Sequence, residues 1–186
     1  DIETGTVNLL LTDLPYGTTM CKWDSVIDLD LWWEQVKRIC KPNAAIVLTA
    51  QTPFDKVLGC SNLGMLRYEW IWEKPAATGF FNAKKMPLKA HENVLVFYKK
   101  LPTFNPQLTH GHKRKTTSRK EIGSDCYGKS FKKSDYDSTS RYPRSVQKIS
   151  TERGLHSTQK PIELGEMMVK TYSNKGDLIV DTCMGS

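Results

Sequence analysis

The sequence predicts an α/β fold built on a doubly wound parallel sheet, and three observations support this prediction. Short apolar runs alternate with segments of helical periodicity over the first 65 residues, as expected for a parallel sheet with helices on its faces. Two apolar runs end in an aspartate followed by turn residues, at Asp13 and at Asp181. The 186 residues, 39% of them hydrophobic, suffice for one core but not for two full domains with a linker.

The individual elements follow from apolar spacing and from turn residues. Strands are expected at 7–11, 45–48, 68–72, 93–98 and 178–180, the last of them buried. A helix should begin after Asp28 and stop at the Lys-Pro-Asn sequence of 41–43. Pro53 and Pro161 should open two further helices, which end near 63 and near 174–176. The strands at 68–72 and 93–98 are expected to close one edge of the sheet.

The net charge of +7 is concentrated in one segment. Residues 101–155 hold twelve Lys and Arg against five Asp and Glu, whereas the rest of the chain holds fifteen of each. The segment is rich in Ser and Thr and has no sustained apolar period, so we expect a poorly structured insertion that becomes ordered against a partner. Two interpretations stay open: a solvated charged loop, or a surface that binds the phosphates of a nucleic acid.

Cysteine usage and hydropathy bear on the class of protein. The five cysteines are odd in number, scattered and never in a CxxC pair, so we expect buried thiols rather than disulfides or a zinc site. No apolar run approaches the roughly 18 residues that span a bilayer, and no signal segment opens the chain. A soluble intracellular protein is therefore expected.

The two strand-end motifs carry the sharpest functional signal. They read Asp-Leu-Pro-Tyr-Gly at 13–17 and Asp-Thr-Cys-Met-Gly-Ser at 181–186. Ligands of open α/β sheets bind beyond the carboxyl ends of the strands, so two such ends would share one site. The alternative is ordinary turn chemistry, because Asp followed by Pro or Gly is common after a strand.

Taken together, these motifs resemble those of the DNA amino-methyltransferases. The tetrad at 13–16 is similar to the family's catalytic Asp-Pro-Pro-Tyr, and 181–186 resembles its cofactor loop, Asp-Pro-Phe-x-Gly-Ser-Gly. The segment 156–161 resembles the family's His-Pro-Thr-Gln-Lys-Pro, and 72–75 and 91–97 are similar to segments that flank its late strands. The tetrad precedes the cofactor loop, which is the permuted order of the family's beta group. Leu14 for the first proline and Thr182-Cys183 for Pro-Phe are departures from the pattern.

The resemblance implies a circularly permuted, Rossmann-like fold. It also implies an enzyme that methylates the exocyclic amino group of a base in double-stranded DNA, with S-adenosylmethionine as cofactor and no metal. The implied catalytic residues are Asp13, Leu14, Pro15 and Tyr16, and the implied cofactor-binding residues are Asp13, Lys160, Asp181, Cys183 and Gly185. Adenine N6 is favoured over cytosine N4, because the family's adenine enzymes usually begin the tetrad with Asp. The alternative from another class is a nucleic-acid-binding module that retains the fold without catalysis.

The chemistry of the tetrad can be argued from the residues. The amino nitrogen of a base is a poor nucleophile, because its lone pair is delocalised into the ring. The Asp13 carboxylate and the Leu14 main-chain carbonyl would each accept one N–H, and Pro15 would fix the backbone that aims the carbonyl. Tyr16 would stack on the base after it leaves the duplex. Lys160 would steady the cofactor carboxylate or the strand ends, or else it is a surface lysine.

The resemblance also divides the chain. Residues 1–100 are expected to form the catalytic part, 101–155 a basic target-recognition insertion, and 156–186 the start of a cofactor-binding part that is truncated at its C-terminal side. The insertion should bind DNA through a set of cations: Lys113, Arg114, Lys115, Arg119 and Lys120. Tyr127 or Tyr136 would add stacking. A truncated sheet would leave apolar surface exposed, so we expect weak cofactor binding by this chain alone and a tendency to form a homodimer.

Overall fold

Helices and strands alternate along most of the chain. The structure, a computed structural model, describes residues 1–18, 21, 24–119, 122–124, 128–130, 134–152, 154 and 159–184, with the backbone alone at 119, 122–124, 128–130, 134 and 135. The helices of these residues are α1 Leu29–Ile39, α2 Phe54–Ser61, α3 Ile162–Tyr172 and a short 3-10 helix, Phe80–Asn82. The strands are β1 Val7–Thr12, β2 Cys40–Ala50, β3 Leu66–Thr78, β4 Lys89–Phe97, β5 Lys115–Arg119, β6 Ile122–Ser124, β7 Gly128–Ser130, β8 Ser134–Ser138, β9 Val146–Lys148 and β10 Ile179–Val180.

Six of these strands form the central sheet, in the order β10-β1-β2-β4-β3-β9. Strands β10, β1 and β2 are parallel, and Leu10 pairs with Val180 on one side and with Ile46 on the other. Strand β4 is antiparallel to both β2 and β3. The sheet is therefore mixed, whereas the sequence predicted a parallel sheet. One edge, called the carboxyl edge below, contains the ends of β1, β2, β3 and β10 and the start of β4.

Helices cover both faces of this sheet, which is what the doubly wound arrangement requires. Adjacent residues of β1 point to opposite faces, so Leu10 packs in one apolar cluster and Leu9 in another. The first cluster contains buried residues of α1 and α2, such as Val36 and Leu58, and the second contains Met168 of α3. Each predicted apolar helix face thus has a sheet face to pack against.

Helix α1 shows how local sequence sets its limits. The Asp28 side chain accepts hydrogen bonds from the backbone N–H groups of Asp30 and Leu31, at 3.0 and 3.1 Å, and so caps the helix. The helix ends at Ile39, but β2 follows at once, so the predicted stop at 41–43 lies inside a strand. Pro42 cannot donate to a strand ladder, and the pairing of β1 with β2 is irregular there, between Val7 and Leu9.

Two other predicted strands differ from the structure. The sequence predicts a buried strand at 178–180, but Leu178 is 44% and Ile179 is 38% exposed, because among the described residues only β1 pairs with β10. The strands at 68–72 and 93–98 exist as parts of β3 and β4, but they do not close the edge of the sheet. Strand β9 lies beyond β3, with Ile71 paired to Val146, and Trp72 Nε1 donates to the Ile149 carbonyl at 2.9 Å.

The chain divides into two compact units. The first comprises 1–105 and 144–186 and contains the central sheet, and the second is 106–143. In the second unit β5 pairs with β8, and β6 with β7, both antiparallel. The second unit is narrower than the predicted insertion of 101–155, because β9 and Ile149 belong to the sheet and its core. No helix among the described residues is long and apolar enough to cross a membrane.

A buried aromatic cluster joins α3 to the sheet and allows a stability prediction. The Tyr172 hydroxyl, on a residue only 1% exposed, accepts from Trp70 Nε1 at 2.7 Å and lies 2.9 Å from the Tyr68 hydroxyl. Tyr172→Phe leaves the buried Trp70 N–H without an acceptor, so we expect the free energy of unfolding to fall by about 1–3 kcal/mol. Urea denaturation measures this change.

Tyr68→Phe is the matched control for that prediction. Loss of the Tyr68 hydroxyl leaves the hydrogen bond between Trp70 and Tyr172 in place. Because Tyr68 is 38% exposed, water can replace the missing hydroxyl. We expect a loss under about 1 kcal/mol. Equal losses for the two variants would contradict the assignment of Tyr172 as the acceptor that keeps Trp70 satisfied.

Candidate active site

The two strand-end aspartates lie side by side at the carboxyl edge. Asp13 follows β1, Asp181 follows β10, and the two strands are neighbours in parallel register. Thr12, which is buried at the end of β1, donates from Oγ1 to Asp181 Oδ1 at 2.5 Å. The prediction that the two motifs meet at one edge is thereby confirmed by the topology of the sheet.

Asp13 is held by three side chains from different parts of the chain. Its Oδ1 accepts from the Tyr16 hydroxyl at 2.7 Å and from Thr49 Oγ1, and its Oδ2 lies 2.6 Å from Lys160 Nζ. The Asp13 side chain is still 34% exposed. The carboxylate is thus fixed in orientation yet open to solvent, which leaves it accessible to a ligand.

Tyr16 packs beside this carboxylate. Its ring stacks on Phe54, the first residue of α2, with centroids 5.4 Å apart and planes inclined by 23°, and Lys160 Nζ lies 5.2 Å from its centroid. Burial, together with the carboxylates of Asp13 and Glu92, raises the pKa of the Tyr16 hydroxyl. Tyr16 therefore stays protonated at neutral pH and remains a hydrogen-bond donor to Asp13.

The turn that carries Tyr16 explains two features of the motif. Leu14, the departure from the family pattern, is 1% exposed and packs in the first apolar cluster, so an apolar residue of another shape fills the position.

Gly17 has a φ of +65°, and a Cβ there would lie 2.8 Å from Val26 Cγ2. Its N–H donates to Asp24 Oδ1 at 2.8 Å, and that of Thr18 donates to Asp24 Oδ2 at 2.9 Å. Glycine is therefore required by both conformation and space.

A chain of alternating charges extends from Asp13 into the sheet. Lys160 Nζ lies 2.6 Å from Asp13 Oδ2 and 3.5 Å from Glu92 Oε2. Glu92 Oε1 in turn lies 2.5 Å from Lys74 Nζ. These side chains are largely buried, with exposures of 9% for Lys74, 11% for Glu92 and 21% for Lys160. Lys160 is therefore part of a packed charge network and not an isolated surface lysine.

Asp181 presents an oriented and accessible carboxylate at the end of β10. Its Oδ1 accepts from Thr12 and from the Cys183 N–H, the latter at 2.9 Å, while the residue as a whole is exposed. Cys183 is half-buried against the first apolar cluster, and Met184 is 82% exposed. Asp181 and Cys183 thus place an oriented, accessible carboxylate beside apolar groups, and their role in binding a cofactor stays a prediction.

Not every predicted site residue falls within the described part of the chain. Gly185 and Lys120 lie outside it, as do 156–158 and Tyr127, and of Arg119 the backbone alone is described. Among the described residues no group of three or more His, Cys, Asp or Glu could hold a metal ion.

The remaining predicted DNA-binding residues lie in the second unit, near β5. Lys113, Arg114 and Lys115 are exposed. Arg114 forms a forked ion pair with Asp137 of β8, with Nε 2.7 Å from Oδ1 and NH2 2.5 Å from Oδ2. The Tyr136 hydroxyl donates to the Ser140 carbonyl at 2.5 Å. Whether these residues contact DNA stays a prediction.

Comparison with known proteins identifies the family. The sequence model of the DNA methylase family, for N6 and N4 methyltransferases, matches residues 7–186. The chain belongs to this family. It is therefore a DNA amino-methyltransferase of the S-adenosylmethionine-dependent type, as the resemblance implied.

Individual relatives agree with this membership. The type II methyltransferase M1.MboII of Moraxella bovis is 27% identical over 209 residues, covering 100% of this chain and 79% of that protein. Among solved structures, the M1.HpyAVI–SAM complex has a TM-score of 0.61 at 20% identity, covering 97% of this chain and 74% of that one. The cytosine-N4-specific PvuII DNA methyltransferase has a TM-score of 0.65 at 14% identity, covering 97% and 68%. These likenesses confirm the Rossmann-like α/β fold.

Sequence reasoning missed several side chains of this candidate site. Thr49, Phe54, Lys74 and Glu92 were assigned no role, although 72–75 and 91–97 had been recognised as family-like segments. A usable signal was present: Thr49 and Glu92 are polar residues next to the apolar runs of β2 and β4. Their meaning depended on the antiparallel placement of β4, which brings its first residues to the carboxyl edge.

Proposed function

We propose that this methyltransferase transfers a methyl group from S-adenosylmethionine to the N6 amino group of a flipped-out adenine in double-stranded DNA. The observation that carries the proposal is the Asp13 carboxylate, fixed by Tyr16 and Thr49 at the end of β1 and 34% exposed. Asp181 is linked through Thr12 to the neighbouring strand end. At the same edge of the sheet, it supplies a carboxylate that can bind the cofactor.

Asp13 would act on the nucleophile. Because Tyr16 and Thr49 occupy Oδ1, the acceptor left for a base N–H is Oδ2, which now bonds Lys160. A charge-assisted bond at Oδ2 draws the nitrogen lone pair out of the ring and toward the methyl group. The bond strengthens as positive charge develops on the nitrogen, so it favours the transition state over the bound substrate. Asp13 Oδ2 is then the first base that the released proton meets.

The rest of the tetrad would aim the base. The Leu14 main-chain carbonyl accepts the second N–H, and the Leu14 side chain anchors the turn in the core. Pro15 follows directly and restricts the backbone between the Leu14 carbonyl and Tyr16. Tyr16, braced against Phe54, offers ring surface to the flipped base, which recovers part of the few kcal/mol that unstacking costs.

Asp181, Cys183, Gly185 and Lys160 would hold the cofactor. Asp181 binds its ammonium group, Cys183 lines its apolar side, and the backbone near Gly185 approaches its amino-acid end. When bound, S-adenosylmethionine supplies the methyl group, whose bond to sulfur breaks with the electron pair staying on sulfur. Lys160 carries a positive charge that can reach the cofactor carboxylate or, as observed, Asp13.

The choice of adenine over cytosine rests on the aspartate that begins the tetrad. Cytosine N4 is the second candidate, because the cytosine-N4-specific PvuII enzyme has the same fold. The two bases present the same chemistry to Asp13, an amino group conjugated to a ring, so the fold alone does not separate them.

A product analysis tests this choice. Unmethylated DNA and RNA are incubated with the enzyme and S-adenosylmethionine, digested to nucleosides and analysed by mass spectrometry. We expect N6-methyladenine from DNA and no methylated nucleoside from RNA. N4-methylcytosine as the sole product would replace the adenine assignment, and no product together with DNA binding would favour a non-catalytic module.

A further inference from the structure

One carboxylate oxygen of the charge network has no hydrogen-bond partner. Glu92 Oε2 is buried and accepts no hydrogen bond from any described residue, although Lys160 Nζ lies 3.5 Å away. The other oxygen, Oε1, is taken by Lys74 at 2.5 Å. A buried carboxylate oxygen without a partner lowers the stability of the folded protein. Its position beside a lysine of the candidate site therefore suggests a functional role.

Asp13 has the opposite condition, because each of its oxygens already accepts at least one charged or neutral hydrogen bond. Tyr16 and Thr49 donate to Oδ1, and Lys160 to Oδ2. Tyr16 and Thr49 belong to the turn after β1 and to β2, and so are fixed by the fold. The donor that can leave is Lys160, whose ammonium ends a long flexible side chain. Oδ2 has a second lone pair, but a base amino group that bonds it beside Lys160 meets a weakened acceptor. The ammonium also repels the positive charge that develops on the amino nitrogen. Withdrawal of Lys160 removes both effects.

We propose that Glu92 is the second acceptor for Lys160, and that Lys160 moves from Asp13 Oδ2 to Glu92 Oε2 when the target amino group enters. The movement is short, from 3.5 Å to the roughly 2.8 Å of an ordinary charged hydrogen bond. The ammonium keeps a carboxylate partner throughout, so no buried charge is left alone. Glu92 is a positioning residue that acts through Lys160, and this inference rests on the proposed function of Asp13.

The Lys74 pair makes this exchange specific. Lys74 holds Oε1, and its side chain is 9% exposed and also lies over the Trp72 ring at 4.9 Å from the centroid. Glu92 is therefore fixed by the sheet, with Oε2 directed at Lys160. Only Lys160 has to move, and the four charges of Asp13, Lys160, Glu92 and Lys74 balance in both arrangements.

Glu92→Gln tests the proposal, because the amide keeps an acceptor for Lys74 but holds the Lys160 ammonium less well. Lys160 then stays on Asp13 and competes with the base. With saturating S-adenosylmethionine and unmethylated plasmid DNA, we expect the single-turnover rate to fall roughly 10- to 100-fold. The KM values for DNA and cofactor should change little.

The deciding variant is the double mutant Glu92→Gln/Lys160→Met. Removing the competing ammonium frees Asp13 Oδ2, so at saturating cofactor the double mutant should be faster than Glu92→Gln alone. A purely structural role for Glu92 predicts the reverse order, since each change would weaken the network further. A double mutant that is equal to or slower than Glu92→Gln would overturn the proposal, as would a Glu92→Gln enzyme as fast as wild type.

Two further measurements keep the test decisive. If thermal melting shows that Glu92→Gln is not folded, Glu92→Asp replaces it. Its shorter side chain retains the charge for Lys74 but withdraws the carboxylate from Lys160, so the same order of rates is expected. In a structure of the DNA complex with S-adenosylhomocysteine, Lys160 Nζ should lie nearer Glu92 than Asp13. Wild-type enzyme without any methyl transfer would overturn the proposed function and this inference together, whereas an active wild type with unaffected Glu92 variants overturns the inference alone.

Discussion

Asp13→Ala is expected to lower the rate of methyl transfer at saturating substrates by roughly 10²–10³-fold, the effect of removing one group that stabilises charge in a transition state. DNA affinity should stay within a few-fold of wild type, because the variant removes no cation from the second unit. The DNA-binding residues predicted there are Lys113, Arg114, Lys115, Arg119 and Lys120. Steady-state kinetics with radiolabelled cofactor, and filter binding of DNA, measure the two quantities.

Asp181→Ala is the matched control, since it also removes a strand-end carboxylate. Asp181 would bind the cofactor ammonium, so its loss should raise the dissociation constant of S-adenosylmethionine roughly 10- to 150-fold, the equivalent of one charged hydrogen bond. The rate at saturating cofactor should fall less than in Asp13→Ala. An Asp13→Ala enzyme with wild-type rate would remove Asp13 from the mechanism, and a common loss of rate in both variants would mean that the two carboxylates act as one unit.

Replacing the five predicted DNA-binding cations with alanine should make DNA binding markedly less dependent on salt. Each phosphate contact adds about 0.9 to the slope of log affinity against log salt, so the slope should decrease by up to about 4.5 if all five residues contact phosphates. Fluorescence anisotropy over a series of salt concentrations gives the slope. The matched control removes five other exposed cations: Lys37, Arg38, Lys99, Lys100 and Lys175.

The ion pair of Arg114 sharpens this prediction. Asp137 accepts from Nε and NH2 along one edge of the Arg114 guanidinium. This pair lowers the pKa of the Asp137 carboxyl and offsets the charge that a phosphate would meet. Asp137→Asn should therefore strengthen DNA binding, while Arg114→Ala should reduce the slope less than the single variants Lys113→Ala or Lys115→Ala. A slope that is the same in wild type and in the five-alanine variant would identify the segment as a solvated charged loop.

The sequence by itself determined the elements whose signals are local. The strand at 7–11, the helix after Asp28 and the helix after Pro161 are present in the structure close to their expected limits, because capping residues and apolar period act within a few residues. The order of the two aspartate motifs likewise indicated the family, and its sequence model confirms that assignment.

Only the tertiary structure decided how distant segments combine. The antiparallel insertion of β4 between β2 and β3 brings Glu92 and Lys74 beside Lys160, and this depends on long-range strand pairing that no local pattern encodes. For the same reason β2 continues through Pro42, β9 joins the sheet from within the basic segment, and β10 is more exposed than its apolar residues predict. The sequence named the carboxylates of the site, and the packing of the sheet determined which cations and hydroxyls surround them.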